Sequence, residues 1–333
     1  MYVPLMLLAA CDVHEWPEPP ERVQLHVKLN YEKDMTVWNH LHDGSDVIDH
    51  GLGGTYDNSQ VHGTIRYIIR AYPHAGGTLS QEYAQEFVFT KDIAEGYDHD
   101  VTLSLSPGDY SIMVWSDLIE NDISTPCYDA SDFAGISLQG DYMGCNDFRD
   151  AFRGTADIAV PADITGQPAA SVAITMQRPL AKFEIVTNDL SEFIEKQTMR
   201  AAETGTSASI SLDNYRIVFY YVGFVPDTYS MMTDKPVDSS TGIGFQSDLQ
   251  KMTDDEGSLG FDYVFVNGKE SAATVQIGVY DADGNLLFVT KTITVPLKRS
   301  RHTVIRGSFL TSGASGGALI DPGYNGNHNL IFP

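Results

Sequence analysis

Apolar and polar residues alternate in short runs along this chain, which is the pattern of β-strands with one buried face. Between Val23 and Tyr31 every second residue is apolar and the residues between are polar. A period of two places all the apolar side chains on one face of a strand. Further segments with a strand-like pattern lie at 64–72, 86–90, 101–105, 110–115, 156–160, 170–176, 182–186, 214–224, 261–266, 275–280, 286–295, 302–310 and 330–332.

Two turns within this pattern predict β-hairpins. Ser106-Pro107-Gly108-Asp109 separates two of the predicted strands, and its proline and glycine supply a fixed φ and a positive φ. The second turn, from Asp281 to Asn285, separates two other predicted strands and contains an Asp-Gly pair.

Three segments depart from the strand pattern. Residues 39–60 are rich in Gly, Asp and His and are predicted to form a long loop. Residues 116–153 lose the period, and we predict an ordered excursion with a helical turn near 148–152. Residues 190–199 have helical spacing and lack Gly and Pro, which predicts a short helix.

The length of the chain favours two domains. A chain of 333 residues is long for a single domain. Pro179 has no amide hydrogen to donate to a central strand ladder, so we place the joint between domains at Arg178-Pro179-Leu180. The sequence therefore predicts an all-β protein with little helix: one β-sandwich domain at 23–177 and a second at 178–333.

The residues before the first strand resemble a bacterial lipoprotein signal. Leu8-Ala9-Ala10-Cys11 closes an apolar run that begins at Val3. Small residues fit the cleavage site of the lipoprotein signal peptidase, and the cysteine thiol accepts the diacylglycerol. We expect residues 1–10 to be removed and lipidated Cys11 to begin a proline-rich tether, residues 11–22. The alternative is a buried first strand that ends in cysteine.

The beginning of the chain departs from a complete signal. No Lys or Arg precedes Cys11, whereas a secretory signal opens with positive charge, so we expect the native start to lie upstream. Nothing later approaches the ~18 consecutive apolar residues of a membrane-spanning helix. Acyl chains would therefore be the only membrane anchor.

The charge of the chain excludes one class of partner. Its formal net charge is −24, and so acidic a protein repels a phosphate backbone. The acidic residues are dispersed, which is typical of a soluble protein body outside the cytoplasm. We predict no nucleic-acid binding.

The chain has three cysteines, and lipidation of Cys11 leaves an even pair, Cys127 and Cys145. Disulfides persist in the compartment to which a lipoprotein is exported. A bridge between Cys127 and Cys145 would contribute about 3 kcal/mol in the chain-entropy model. Two unpaired buried thiols are an equally acceptable interpretation.

The sequence lacks the common catalytic motifs. It contains no Gly-x-Ser-x-Gly elbow, no phosphate-binding loop, no His-Glu-x-x-His helix and no Cys-x-x-Cys pair. We therefore predict no catalytic residues and no cofactor.

Two groups of residues are weak metal candidates. His40, His42, His50 and His62 lie in the predicted loop, but no acidic or cysteine partner has a zinc-like spacing to them. Asp281, Asp283 and Asn285 begin like a calcium loop, but its twelfth position is Thr292 instead of a glutamate. Solvated histidines and a hairpin turn are the favoured interpretations, and no metal is predicted.

Several aromatic residues permit a second function. A shelf of aromatic side chains on a β-scaffold can bind sugars, although such side chains more often pack in cores. The candidate residues are Trp16, Trp38, Tyr128, Phe133, Tyr142, Phe148 and Phe152. A surface glycan-binding lipoprotein is therefore the alternative interpretation, and a secreted hydrolase on a β-scaffold is a third.

Longer motifs carry a family resemblance. The first region contains Pro107-Gly108-Asp109-Tyr110-Ser111-Ile112-Met113-Val114-Trp115-Ser116-Asp117, then Tyr128-Asp129-Ala130-Ser131-Asp132-Phe133 and Asn146-Asp147-Phe148-Arg149-Asp150-Ala151-Phe152-Arg153-Gly154. The second contains Arg178-Pro179-Leu180-Ala181-Lys182-Phe183 and His302-Thr303-Val304-Ile305-Arg306-Gly307. In order and spacing, and together with Cys11-Asp12, these resemble the FimB-like fimbrial anchor and minor-subunit family of Bacteroidales, in the fimbrillin superfamily.

The resemblance implies an architecture and a role. It implies two tandem transthyretin-like β-sandwich domains, lipid attachment through Cys11 and an outward-facing position on the outer membrane. It further implies a non-catalytic anchor or accessory subunit of a fimbria, whose partners are fimbrial shaft subunits. We expect these subunits to bind by β-strand pairing at an exposed sheet edge. The sequence leaves open which edge accepts a strand, and whether the subunit is basal or at the tip.

Overall fold

The computed structural model describes residues 22–42, 47–56, 61–121, 125–162, 170–203, 205, 210–311, 319–320 and 330–331. Cys11, the expected leader and the tether up to residue 21 lie outside the described residues. None of the helices within these residues has the length and apolar character needed to cross a membrane.

The fold is all-β, as the alternating pattern predicts. The first half of the chain contains β1 (Val23–Tyr31), β2 (Met35–His42), β3 (Val47–Tyr56), β4 (Gly63–Ala75), β5 (Thr78–Leu79), β6 (Gln85–Asp92), β7 (His99–Leu105), β8 (Gly108–Glu120), β9 (Tyr128–Asp129), β10 (Ile136–Leu138), β11 (Ala151–Val160) and β12 (Ala170–Met176). The second half contains β13 (Leu180–Thr187), β14 (Arg216–Tyr221), β15 (Val225–Ser230), β16 (Lys235–Ser240), β17 (Gly244–Asp248), β18 (Gln250–Lys251), β19 (Gly257–Phe265), β20 (Glu270–Tyr280), β21 (Leu286–Val289), β22 (Ile293–Lys298), β23 (Arg301–Gly307), β24 (Leu319–Ile320) and β25 (Leu330–Ile331). The predicted helix is α1 (Leu190–Glu203), and the expected helical turn is a 3₁₀ turn at Asp147–Arg149.

The first sandwich packs a three-stranded sheet, ordered β12-β1-β7, against a sheet ordered β11-β8-β4-β6. Val23, Leu25, Val27 and Leu29 of β1 are buried in the core between the two sheets, whereas the residues between them are exposed. The period of two in the sequence thus corresponds to one buried face.

The predicted hairpin at Ser106–Asp109 is wrong. β7 pairs with β1, whereas β8 pairs with β4 and β11 in the opposite sheet, so the turn carries the chain across the core. The reason lies in β8, which is buried almost continuously from Tyr110 to Leu118. A strand buried on both faces takes a central position, and its two edges are already filled. The other predicted hairpin is confirmed, because β20 and β21 pair antiparallel around the Asp281–Asn285 turn.

The second sandwich packs a sheet ordered β18-β19-β13-β23-β2-β3 against a sheet ordered β17-β14-β20-β21, in which β22 also pairs with β20. The core between the sheets includes Phe183, Ile185, Phe219 and Ile277, all fully buried. Helix α1 covers one end of this core with Leu190 and Phe193.

The predicted loop at 39–60 is also wrong, because most of it lies in strands. β2 pairs in parallel with β23, and β3 pairs antiparallel with β2. Gly51 and Gly54 have positive φ, and the register of the β2–β3 pair shifts twice, which is why the segment lacks a clean alternation. The two strands complete a sheet of the second half, so hydrogen bonding does not follow the division at residue 178.

A third sheet connects the two halves. Its order is β16-β15-β10-β9, which joins strands from the excursion at 116–153 to strands of the second half. The excursion is therefore ordered and holds the two sandwiches together.

The first sandwich is closed on one side by β11 and β12, which leads to a prediction at Gly154. A Cβ atom there would lie 2.5 Å from Ile174 Cγ2 and 2.9 Å from the Thr175 carbonyl oxygen. We expect Gly154→Ala to lower the free energy of unfolding by about 1–3 kcal/mol, because the two strands must separate to admit the methyl group.

Gly135→Ala is the matched control for this prediction. Its Cβ would meet only Thr228 Cγ2, at 3.7 Å, so we expect a change within about 0.5 kcal/mol. Urea denaturation of both variants measures the difference. Equal stabilities would contradict close packing of β11 against β12.

Candidate functional site: a charged joint and an open rim

The joint between the sandwiches is an aromatic core of its own. Trp115 of β8, Tyr128 of β9, Tyr229 of β15 and Tyr263 of β19 are fully buried there. The Trp115 and Tyr128 rings meet edge to face with centroids 5.5 Å apart. Because these side chains come from both halves of the chain, the joint buries enough apolar surface to fix the relative orientation of the sandwiches.

One short turn of the excursion supplies the charges of this joint. Asp147 accepts from Lys182 Nζ at 2.7 Å, and Asp150 receives Arg178 through bonds of 2.8 Å from both Nε and Nη2. Between them, Arg149 pairs with Asp262 of β19. We call residues 147–150 the charged turn. The three charged residues of this turn are negative, positive and negative in order, and each pairs with a residue of opposite charge in the second half of the chain.

The Arg149–Asp262 pair is fully enclosed. Asp262 also accepts from the hydroxyls of Tyr142 and Tyr221, at 2.6 and 2.7 Å. Burial opposes the charge on Arg149, but Asp262 and the surrounding phenols outweigh it and raise the pKa of the guanidinium. The Arg149 Nη2 group donates to the Tyr263 carbonyl at 2.9 Å. Burial raises the pKa of Asp262 against the opposing effects of Arg149 and the two tyrosine hydroxyls. The pair is almost completely hydrogen-bonded.

The two cysteines of the joint are free thiols in the structure. Cys127 Sγ accepts a long contact of 3.8 Å from Asn146 Nδ2. Cys145 Sγ accepts from the Phe261 amide at 3.4 Å, and burial raises the pKa of Cys145 to about 11. The structure therefore contains no Cys127–Cys145 bridge, and the two thiols are held in protonated, unreactive form.

Three of the seven rings of the expected aromatic shelf are buried and cannot line a surface, whereas Trp38, Tyr142 and Phe148 are half-buried. Tyr128, Phe133 and Phe152 are fully buried, and the Tyr142 hydroxyl is bonded to Asp262. These side chains pack in the cores because each lies next to the joint. Trp16 lies outside the described residues, and Trp38 packs against His40 on β2 with ring centroids 4.6 Å apart.

The weak metal candidates fall on strands and turns. His40 is buried on β2, and the His42 ring stacks on Phe309 at 5.4 Å. Asp281 Oδ1 accepts from the amides of Asp283 and Asn285, which makes it the cap of the hairpin turn. Within the described part of the chain, no group of three His, Cys, Asp or Glu side chains is arranged to hold a metal ion.

A serine, a histidine and an aspartate meet on three adjacent strands, which the sequence did not suggest. Ser111 Oγ donates to Asp157 Oδ1 at 2.5 Å and lies 2.9 Å from His74 Nε2. In a nucleophilic triad the histidine stands between the serine and the acid and takes the serine proton. Here the serine lies between the other two residues, and its hydroxyl donates a hydrogen bond to the carboxylate. The arrangement is therefore a polar cross-strand contact and not an activated nucleophile.

The first sandwich is open on the side away from β11 and β12. Phe87 and Phe89 of β6 stand directly opposite Ile69 and Tyr67 of β4, so they share the core-facing side of that sheet. Phe89 stacks on Tyr67 at 4.5 Å, but Phe87 remains 41 % exposed. We call Phe87, Phe89 and the free edge of β7 the open rim.

The open rim results from unequal strand numbers. The sheet that contains β6 has four strands across the sandwich, whereas the sheet that faces it has three and ends at β7. Among the described strands, none lies beside β7 to cover Phe87.

Other sheet edges are less able to pair with a second chain. β18 has two residues, β16 carries Lys235 and Pro236, and β3 contains Gly51 and Gly54 at positive φ. Short length, proline, lysine and distortion all discourage edge pairing. The free edge of β7 has seven residues and none of these features.

A family model spans nearly the whole described chain. It is the family of unknown function DUF6562, and it matches residues 20–332. The chain belongs to this family. No curated protein matches it.

Several solved structures are distantly similar to this chain. A candidate adhesin from Bacteroides ovatus has 10 % identity and a TM-score of 0.43, over 80 % of this chain and 77 % of that one. The fimbrial anchor protein Mfa2 from Porphyromonas gingivalis has 12 % identity and a TM-score of 0.39, over 80 % and 82 %. The tip fimbrial protein Mfa3 from the same organism, with a C-terminal truncation, has 9 % identity and a TM-score of 0.38, over 86 % and 94 %.

Fimbrial anchor and tip proteins are thus among the solved structures to which the chain has a distant likeness. At this distance the likenesses carry no functional conclusion of their own.

The charged turn yields a prediction for stability. Arg178 and Asp150 are both fully buried, and Arg178→Met leaves a buried carboxylate without its partner. We expect this change to lower the free energy of unfolding by about 3–5 kcal/mol. The double variant Arg178→Met with Asp150→Leu should be more stable than the single variant, because no uncompensated charge remains.

Chemical denaturation of the single and double variants measures both effects. A double variant less stable than Arg178→Met alone would show that Asp150 acts independently of Arg178.

Proposed function

We propose that this protein is a lipid-anchored, non-catalytic subunit of a fimbria on the outer membrane, and that it accepts a β-strand from the neighbouring subunit at the open rim. The observation that carries the proposal is the missing strand beside β7, over the exposed Phe87. The lipoprotein-like residues around Cys11 and the family resemblance of the motifs support the attachment and the role.

Strand addition at the open rim satisfies two physical demands at once. The backbone amides and carbonyls on the free edge of β7 gain hydrogen-bond partners, which provides affinity. Apolar side chains on the inner face of the added strand cover Phe87 and Phe89 and complete the core between the sheets. An alternation of apolar and polar residues in the donor strand would set the register.

Membrane attachment would come through the tether that precedes β1, the strand that pairs with β7. Arg22 is the first described residue, and its Nη1 group donates to the Ser104 carbonyl of β7 at 3.2 Å. The tether would therefore leave the protein beside the open rim. An acylated Cys11 holds it to the lipid, since several acyl chains anchor a protein stably.

The alternative functions lose their structural support. A glycan-binding shelf needs exposed rings, and the candidate rings Tyr128, Phe133 and Phe152 are buried. A hydrolase needs an activated nucleophile, and Ser111 donates to Asp157 instead of to His74. We therefore retain one proposal.

Removing the acylated cysteine tests the anchor. We expect Cys11→Ala to release the protein, with any fimbriae it holds, from cells into the medium. Cys127→Ala is the control and should remain cell-associated, because that half-buried thiol lies in the joint. Immunoblots of cell and medium fractions measure the distribution. Undiminished surface retention of Cys11→Ala would refute lipid anchoring.

Two charges placed on opposite faces of β6 test the open rim. We expect Phe87→Asp to reduce recovery of co-purified fimbrial subunits by about tenfold, since a carboxylate cannot be buried beneath an added strand. Val88 is 52 % exposed on the opposite face of the same strand, so Val88→Asp should leave recovery unchanged. Quantitative mass spectrometry of affinity-purified complexes distinguishes them. Equal recoveries would place the partner elsewhere.

A further inference from the structure

The chain leaves the second sandwich at a fixed point. Asp189 Oδ2 accepts from the amides of Leu310 and Thr311, at 3.1 and 2.7 Å, and from the Thr311 hydroxyl at 2.7 Å. Leu310 itself is buried in the core. The path up to Thr311 is therefore determined by a buried carboxylate.

A groove begins at this point, lined by five apolar side chains together with Lys196, Gln197, Arg200 and Thr311. It has a volume of about 390 Å³ and lies between α1 and β21. Phe193 and Met199 of α1 line one wall, Leu287 and Phe288 of β21 the other, and Leu310 its end. Met199 is 57 % exposed, and α1 buries only Leu190 and Phe193. We call this the α1 groove.

The strand beside the groove has a free edge. β21 is the last strand of its sheet among the described strands. The apolar side chains of the groove, next to unpaired backbone groups, are complementary to a short apolar β-ribbon, which supplies both kinds of contact.

Such a ribbon follows Thr311 in the same chain. β24 and β25 pair antiparallel, with Leu319 opposite Ile331 and Ile320 opposite Leu330. A two-stranded ribbon is at best marginally stable in water and needs a third strand or a helix to pack against. Two residues in each strand cannot form a core alone.

The connection is long enough to reach the whole groove. Eight Cα–Cα steps separate Thr311 from Leu319, and at about 3.3–3.6 Å each they span up to about 29 Å. Helix α1 has 14 residues and is about 21 Å long. Residues 312–318 contain only Ser, Gly and Ala, so no bulky side chain obstructs the path.

We propose that the ribbon β24–β25 docks within its own chain, in the α1 groove beside β21, so that the end of this sequence completes the second sandwich. The ribbon then covers Met199 and Phe288, and one of its strands extends the β21 edge. In this arrangement the ribbon of the same chain occupies the α1 groove, so the groove is not available to a fimbrial partner. This distinguishes it from the open rim.

Disulfide trapping in the isolated full chain tests the docking. The variant carries Met199→Cys and Leu330→Cys in a Cys11→Ser background; Cys127 and Cys145 are half-buried thiols with raised pKa and remain unreactive. We expect mild oxidation of dilute protein to cross-link most of the monomer between positions 199 and 330. The control pairs Leu330→Cys with Met252→Cys, an equally exposed position outside the groove, and should cross-link poorly.

Peptide mass spectrometry identifies the bonds formed. Disulfide bonds that form only between molecules would overturn the proposal and assign the ribbon to a second copy. Equal cross-linking yields for the 199–330 and 252–330 pairs would also overturn it, because they would show that the ribbon is undocked. Hydrogen exchange gives an independent readout: removal of residues 312–333 should make the amides of α1 exchange about tenfold faster, because the helix loses its cover. Unchanged exchange would also overturn it. Both measurements use no fimbrial partner, so their outcome is separate from that of the proposed function.

Discussion

Three ion pairs made by one four-residue turn hold the two sandwiches in a single orientation. Asp147, Arg149 and Asp150 face Lys182, Asp262 and Arg178, and five of these six side chains are almost completely buried. A buried charge is costly unless it has a partner of opposite charge. A displacement of one sandwich relative to the other would therefore leave several buried charges without their partners at once. Apolar contacts in the joint tolerate sliding better, because they lack direction. The charged turn therefore determines the relative orientation of the two sandwiches, and the aromatic core around Trp115 and Tyr128 stabilises their contact by apolar burial.

The sequence predicts the local elements of this structure better than their pairing. β12 and the start of α1 occur where the period places them, because each is decided by neighbouring residues. The hairpin at Ser106–Asp109 failed because a Pro-Gly turn fixes only a change of direction, and the partner of each strand depends on which edges are free. One signal was available: the residues from Tyr110 to Trp115 are apolar except for Ser111, which is typical of a central strand, whose two neighbours must both be elsewhere. In residues 39–60, the glycines and the register shifts obscured the alternating pattern of two strands. These strands are stabilised by a distant part of the chain, because β2 pairs with β23.

The same distinction applies to the candidate site. Cys11 could be proposed as a lipid acceptor because the residues that resemble a lipoprotein signal are contiguous in the sequence. The charged turn lies inside one of the stretches that carry the family resemblance, but its partner Asp262 is 113 residues from Arg149, and no local pattern links them. The open rim could not be predicted, since Phe87 looks like any alternating core residue. Its exposure follows from the three-stranded sheet opposite, which is a property of the whole topology.

The positions of tether and open rim have a mechanical consequence for the proposed assembly. Val23 at the start of β1 pairs with Leu105 at the end of β7, and seven residue pairs join the two strands. A tether pulling on β1 and a partner strand pulling on β7 would load the same sheet. Because the hydrogen bonds of an antiparallel pair lie across the strands, such a load is shared along the whole ladder instead of opening it one bond at a time. β1 is also held on its other side by β12. In the proposed assembly the force would therefore pass through β1, which is paired along both edges, and would bypass the joint, whose buried charges need only preserve orientation.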